Sequence, residues 1–215
     1  MTQFDDAVVQ IREQILSGAL APGRKLAAEE IAAALGMSRS PVREAFRVLA
    51  SEGIVELTQN RGARVSAWSA DEIEAVFEVR IRLEGLAAHR AAERITTQQI
   101  DELERVARQI RAVSDPVCGD HLAEVQRLNA EFHQGIMTIA DSSSLASAVA
   151  GVVHASVLTR TRQSFGPVEQ ERSDEQHLEM VTAFRARDGV WAENVMRAHL
   201  LSARASLMGP RHEHV

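Results

Sequence analysis

Arg39, Arg43 and Arg47 recur every four residues, so on a helix they would project from one face. A guanidinium group binds both phosphate oxygens and the O6/N7 edge of guanine, which duplex DNA offers together. Between the arginines runs an apolar stripe at helical spacing, formed by Val42, Ala45, Phe46 and Leu49. The pattern predicts a helix that packs on one face and presents arginines on another. The alternative is the solvated basic face of an ordinary surface helix.

Histidine is the second residue type in this sequence that could carry out chemistry, and the chain has eight histidines. Asn129 and His133 are four residues apart and would share one helix face, while His177 and His199 fall in two later helical segments. A helical bundle can gather such side chains in its interior, where three imidazoles suit a divalent ion such as Zn²⁺ or Ni²⁺. The alternative is a set of isolated histidines, each hydrogen-bonded separately.

A tight turn must position the arginine-bearing helix. Gly36 can take the left-handed backbone that ends a short preceding helix. Ser38 or Ser40 can cap the next helix, and Pro41 is tolerated in its first turn, where a missing N–H costs nothing. Two short helices joined in this way predict a helix-turn-helix that binds duplex DNA.

Two segments of alternating polarity follow, at residues 53–58 and 63–66, on either side of turn residues 59–62. They predict a β-hairpin next to the arginine helix. Arg61 would lie at the hairpin tip, where it can enter a minor groove, and Gly62 would allow the backbone to approach a phosphate. The alternative is a hairpin that only caps the domain.

After Trp68 the strand signals stop, and six helices are predicted at about 70–94, 97–113, 117–140, 145–165, 172–187 and 190–208. We therefore predict a mainly α fold in two domains. Residues 1–68 would form a winged helix-turn-helix with a small β-hairpin, and residues 69–215 an all-α six-helix bundle.

The net charge of −6 is unusual for a DNA-binding protein, but its distribution is informative. Residues 1–68 hold eight basic and eight acidic side chains, so the whole deficit lies in the second domain. An acidic bundle would be repelled by DNA and should face away from it. The single cysteine, Cys118, excludes an internal disulfide. The chain has neither a long apolar run nor a signal-peptide pattern, so we expect a cytoplasmic protein with no membrane partner.

Residues 6–66 resemble the winged helix-turn-helix of the GntR family of bacterial transcription regulators. The matching segments are 15–18, 22–23, 38–45, Leu49, 52–53 and 60–62. The resemblance implies that the arginine-bearing helix (the recognition helix) and the hairpin (the wing) contact DNA. The DNA-binding residues we assign are Arg39, Ser40, Arg43, Arg47, Arg61 and Gly62. One departure is Glu29, since members often carry an arginine three residues after the Leu26 position.

Residues 70–208 resemble the all-helical FCD domain of FadR-like GntR regulators, and the count of six helices resembles its VanR-like branch. The resemblance depends on Arg80 with Glu84, 91–92, 129–133, 175–177, 187–188 and 198–200. It implies a divalent metal, Zn or Ni, held by Asn129, His133, His177 and His199, with Asn129 where Asp is commoner. A neutral donor set favours an anionic ligand at the open positions.

The resemblance also implies that Arg80 and Arg172 bind a small carboxylate effector. The alternatives are an intrahelical Arg80–Glu84 pair and a surface Arg172. Together these features predict a homodimeric regulator, a repressor, that binds palindromic double-stranded DNA and responds to a small organic acid. Two alternatives remain: a metal-dependent hydrolase with a three-histidine site, and a regulator whose helical domain only dimerises.

Overall fold

The computed structural model describes residues 2–58, 62–114, 122–152, 157, 161 and 164–209. It divides between Ser69 and Ala70 into two compact units. The first unit contains α1 (Gln3–Leu16), β1 (Lys25–Leu26), α2 (Ala28–Leu35), α3 (Arg39–Ser51), β2 (Val55–Thr58) and β3 (Gly62–Val65).

The turn between α2 and α3 has the backbone that its sequence predicts. Gly36 ends α2 in the left-handed conformation, with φ of 65°. Ser38 occupies the N-cap position of α3, although its side chain makes no capping hydrogen bond, and Pro41 lies in the first turn. Residues 36–38 therefore separate two helices whose packing is fixed by small and apolar side chains.

The three strands form an antiparallel sheet in the order β1-β3-β2. The predicted hairpin corresponds to β2 and β3, with Val55 opposite Val65 and Thr58 opposite Gly62. The sequence did not reveal β1, which pairs with β3 through only two residues. Gly62 is required here, because a Cβ at this position would lie 2.1 Å from the carbonyl oxygen of Leu26.

The core of the first unit joins α1 to α3 and the sheet. The apolar stripe of α3 is buried as predicted, through Val42, Ala45, Phe46 and Leu49. At the far end of α3, Glu52 accepts hydrogen bonds from Arg12 of α1 at 2.7 and 2.8 Å from Nη2. The packed face of α3 is thus anchored in the core, which fixes the direction of its arginine face.

The second unit consists, over its described residues, of α4 (Ala70–Arg94), α5 (Thr97–Val113), α6 (Leu122–Ile139), α7 (Ser143–Val152), α8 (Pro167–Arg185) and α9 (Gly189–Met208). Its apolar core lies between these helices, with Phe132 and Phe184 fully buried. The predicted fold class, mainly helical with a small sheet beside the helix-turn-helix, is confirmed.

Helix boundaries differ from the sequence prediction where proline was interpreted as a break. The fifth predicted helix, placed at 172–187, begins instead at Pro167, because proline fits the first helical position. Glu169 accepts a hydrogen bond from the N–H of Gly166 at 3.0 Å and so caps the same end. The predicted start at 117 lies outside the described residues, as do most residues of 153–163 in the helix predicted at 145–165.

None of the helices that the structure describes combines the length and apolarity needed to cross a bilayer.

Candidate nucleic-acid interface and metal centre

The exposed face of α3 carries the predicted DNA-binding side chains. Arg39, Ser40, Arg43 and Arg47 are all exposed, on a face rotated roughly 110° from the buried stripe. Arg43 and Arg47 make no hydrogen bond or ion pair with any residue that the structure describes. Arg39 Nη2 lies 3.6 Å from Glu29 Oε1 of α2, with both side chains more than half exposed. This face therefore presents three guanidinium groups to solvent, one of them beside a carboxylate.

The arginine face forms one wall of an open cleft of about 630 Å³. The start of α2 forms a second wall, which includes Glu29, and the sheet forms the third. Leu57, Thr58 and Gly62 line the sheet side, and Leu57 is 55% exposed. Arg61, predicted at the wing tip, lies outside the described residues, whereas Gly62 lies in the cleft.

Three of the four predicted metal ligands meet in the second unit. His133 of α6, His177 of α8 and His199 of α9 have candidate ligand atoms within 4.8 Å of one another. The ring centroids are separated by 4.6 Å for His177 and His199, and by 5.4 Å for His133 and His199. His177 and His199 are buried, and Phe132 packs edge-on against His177 at 4.8 Å.

This donor set fits a divalent first-row metal. Imidazole nitrogens are ordinary ligands for Zn²⁺ and Ni²⁺, and the candidate atoms of these three histidines lie within 4.8 Å of one another. The buried Nε2 of His133 has no hydrogen-bond partner among the residues that the structure describes, which leaves its lone pair or proton unsatisfied. Asn129 lies one turn before His133 on α6 and is half-buried, and its role as a fourth ligand stays a prediction.

A carboxylate of α4 borders the histidine cluster. Glu84 is buried, and its Oε2 lies 2.8 Å from Nδ1 of His133. Its other oxygen accepts a hydrogen bond from Nε of Arg80 at 2.7 Å. Burial alone would raise the pKa of the Glu84 carboxyl, but the charge of Arg80 and the bond to His133 outweigh it and lower the pKa well below its ordinary value.

The two arginines predicted to bind an effector occupy different environments. Arg80 is 5% exposed, and its guanidinium also lies 5.3 Å from the ring centroid of Phe77. Arg172 is exposed on α8, about 140° around the helix from His177. The structure therefore brings Arg80 to the cluster through Glu84, and it does not bring Arg172 there.

A hydrolase would need a general base beside the histidines, and three acidic residues close to them in the sequence lie elsewhere. Glu131 pairs with Arg127 at 2.8 Å and with Arg105 at 3.2 Å on the surface of α5 and α6. Glu175 is exposed, and Glu179 accepts a hydrogen bond from the indole of Trp191. None of these three carboxylates belongs to the histidine group formed by the described residues.

Glu84 is the residue of this site that sequence reasoning did not assign. The signal was present, because Arg80 and Glu84 continue the spacing of the buried stripe of α4 between Phe77 and Ala88. Two charged residues within an apolar stripe must pair or bind something, since an isolated buried charge is costly.

Two family models match the chain. Residues 4–65 match the bacterial regulatory proteins of the gntR family, and residues 75–202 match the FCD domain. Among curated proteins, the chain is 32% identical over 204 residues to the HTH-type transcriptional repressor RspR of Escherichia coli K12, covering 94% of this chain and 88% of that protein. It is 28% identical to a probable D-xylose utilization operon transcriptional repressor of Paenarthrobacter nicotinovorans, over 93% of this chain and 84% of the relative.

Solved structures show the same fold. McbR/YncC of E. coli superposes with a TM-score of 0.72 at 22% identity, over 96% of this chain and 97% of that one. Lar of Listeria monocytogenes, which controls expression of the agr system, superposes with a TM-score of 0.69 at 18% identity, with the same two coverages. At these identities the likeness concerns the fold alone.

Proposed function

Because the chain belongs to the GntR family of bacterial regulatory proteins and carries an FCD domain, we propose that this transcription regulator is a ligand-responsive repressor. In our proposal it binds a palindromic operator as a homodimer in the bacterial cytoplasm. A small carboxylate, bound over a divalent metal in the FCD domain, changes its affinity for that operator. We further assign the FCD domain to the VanR-like branch, a proposal supported by the six helices described in it.

One observation carries the DNA-binding part of the proposal: the arginine stripe of α3 is exposed while the apolar stripe of the same helix is buried. Helix α3 is the second helix of the helix-turn-helix, which lies in the major groove in such modules. Arg39, Arg43 and Arg47 would contact bases and phosphates there, with Ser40 beside them. Arg61 and Gly62 would act from the wing.

The homodimer proposal is supported by apolar side chains that remain exposed on the second unit. Val79 and Leu86 are 36% and 41% exposed and lie two helical turns apart on α4. Leu201 of α9, the helix that packs along α4, is 43% exposed. A second copy of the chain covering these residues would pair the two recognition helices for the half-sites of a palindrome.

The metal and effector proposal is supported by the convergence of three imidazoles on one point. Asn129, His133, His177 and His199 would hold the ion, Zn²⁺ or Ni²⁺. When bound, the ion would supply a Lewis-acidic anchor for a carboxylate oxygen. Arg80 would bind the same anion, since a guanidinium group matches carboxylate geometry. A contact from Arg172, which is exposed on α8, stays a prediction. The effector can alter operator affinity only through its preference for one arrangement of the two DNA-binding domains.

The experiment has two arms. Operator sequences are selected from random duplex DNA, and we expect recovery of an inverted repeat. Failure to enrich any sequence over random DNA would contradict the DNA-binding proposal. Zn²⁺-loaded protein is then screened against small carboxylates by thermal shift, because a ligand that binds the native state raises the melting temperature. A screen in which no carboxylate raises it would favour a helical domain that only dimerises.

A further inference from the structure

Glu84 contacts two functional candidates at once, each through a different oxygen. Oε1 accepts from Nε of Arg80 at 2.7 Å, and Oε2 lies 2.8 Å from Nδ1 of His133. Glu84 is 3% exposed and Arg80 is 5% exposed, so bulk water does not compete for these bonds. The carboxylate therefore lies between a cation of its own helix and an imidazole of α6.

The contact with His133 determines which ring nitrogen carries the proton. An ionised carboxylate only accepts hydrogen bonds, so Nδ1 of His133 must donate to it. In a neutral imidazole the proton on Nδ1 leaves a lone pair on Nε2. That Nε2 is buried and makes no hydrogen bond with the described residues. It is thus available to act as a metal ligand.

The contact with Arg80 determines how its guanidinium is oriented. Only Nε donates to Glu84, and the two terminal nitrogens form no hydrogen bond with residues in the described part of the chain. A guanidinium held by Nε presents its other edge, with two parallel donors, to a carboxylate. The same acidic residue can therefore orient both a metal ligand and an anion-binding group.

We infer that Glu84 is a positioning residue: it holds His133 in the tautomer with the proton on Nδ1 and Nε2 free for the metal, and it fixes the guanidinium of Arg80 for the effector. This inference rests on the proposed metal and effector site. Glu84 places a negative charge one hydrogen bond behind the ligand, an arrangement that raises ligand basicity.

The tautomer can be tested without any metal or substitution. Long-range ¹H–¹⁵N NMR spectra of the metal-free, full-length protein identify the protonated nitrogen of each histidine at a pH at which imidazole is neutral. We expect His133 to carry its proton on Nδ1. A proton on Nε2 in the unsubstituted protein would overturn the inference, whatever the metal content.

The isosteric variant Glu84→Gln tests the mechanism. Nε of Arg80 always donates, so the amide oxygen must face it and the amide NH₂ must face His133. Nδ1 would then accept, and the proton would move to Nε2, where a metal would have to displace it. We expect the NMR signature of His133 to switch tautomer. We expect the affinity for Zn²⁺ alone, measured by calorimetry, to fall about 10- to 100-fold.

Glu78→Gln is the matched control, because Glu78 lies on the same helix and pairs with Arg82 at the same i,i+4 spacing at the exposed surface. It should leave both the tautomer and Zn²⁺ affinity unchanged. Equal Zn²⁺ affinity in Glu84→Gln and the unsubstituted protein would overturn the inference. Absence of Zn²⁺ binding in the unsubstituted protein would instead overturn the proposed metal site, while the tautomer measurement would still decide the role of Glu84.

Discussion

The imidazole rings of His177 and His199 lie 4.6 Å apart between centroids, one on α8 and the other on α9. These two helices are consecutive in the chain and are joined by a short turn at residues 186–188. Helices joined by a short turn pack side by side, and this packing brings the two rings together. His133 joins them from α6. The histidine cluster is thus a product of helix packing and not of a local sequence motif.

Substitution of either buried histidine should lower metal content. His177→Ala and His199→Ala each remove one imidazole from the cluster, so we expect reduced Zn²⁺ per chain by elemental analysis, with the helical fold retained by circular dichroism. His89→Ala is the control, because His89 pairs with Glu193 at 3.2 Å away from the cluster. If both variants bind as much metal as the unsubstituted protein, the proposed metal site is contradicted.

Glu29 should restrain binding to DNA of any sequence. Its carboxylate lies in the cleft, 3.6 Å from Arg39, where it repels phosphates and competes for that guanidinium. Glu29→Gln should therefore tighten binding to non-operator DNA, by less than about 1 kcal/mol because the pair is exposed. Glu30→Gln is the control, since Glu30 pairs with Arg24 at 2.8 Å and does not line the cleft. Equal effects of the two variants in fluorescence anisotropy would refute this role.

The exposed apolar side chains of α4 should lie at the dimer contact. Leu86→Lys places a charge where a second copy would pack, so sedimentation should show a shift from dimer to monomer and operator binding should weaken. Val168→Lys, at an exposed position of α8, should leave the dimer intact. If Leu86→Lys and the unsubstituted protein both sediment as dimers at the same protein concentration, the dimer contact lies elsewhere.

Ion pairs between α5 and α8 should stabilise the FCD domain in a pH-dependent way. Hydrogen bonds from Arg185, and then from Arg108, lower the pKa of Glu104 from 4.5 to about 2. A lowered pKa in the folded state means that this stabilisation is complete above pH 4.5 and is lost as the pH falls towards 2.

Glu104→Gln should therefore unfold at lower denaturant concentration than the unsubstituted protein at neutral pH. The difference should shrink between pH 4.5 and 2. A difference that does not change over this range would show that the carboxylate charge is not its source. Glu175→Gln, at an exposed position of α8, serves as the reference substitution.

Local patterns predicted most of the first unit. The stripe of α3 and the left-handed turn at Gly36 follow from periodicity and from one glycine, and the structure has both. Strand β1 was missed because two residues carry no alternation that could distinguish them from a loop. The start of α8 was misplaced because a proline can either end one segment or begin the next, and only the capping contact of Glu169 distinguishes the two.

The site in the second unit was only partly accessible from sequence. Residue type and helix placement made its histidines candidates, and the resemblance assigned them as one ligand set, since their spacing reflects three different helices and contains no short motif. The role of Glu84 depends on a contact between α4 and α6, and no pattern within α4 could reveal that His133 faces it. Arg172 illustrates the reverse case: the resemblance implied that it lines a pocket, whereas its side chain is exposed. Its contact with an effector stays a prediction.

The central claim is that the exposed arginine face of α3 binds operator DNA, and operator affinity of Arg43→Ala tests it most directly. Arg43 is exposed and forms no bond with the described residues, so its removal should not disturb folding. In a shift assay at fixed salt, we predict a loss of about 1–3 kcal/mol, roughly 5- to 150-fold in dissociation constant. Arg82→Ala, on the surface of α4, should bind like the unsubstituted protein. An Arg43→Ala protein that binds the operator with unchanged affinity would contradict the account.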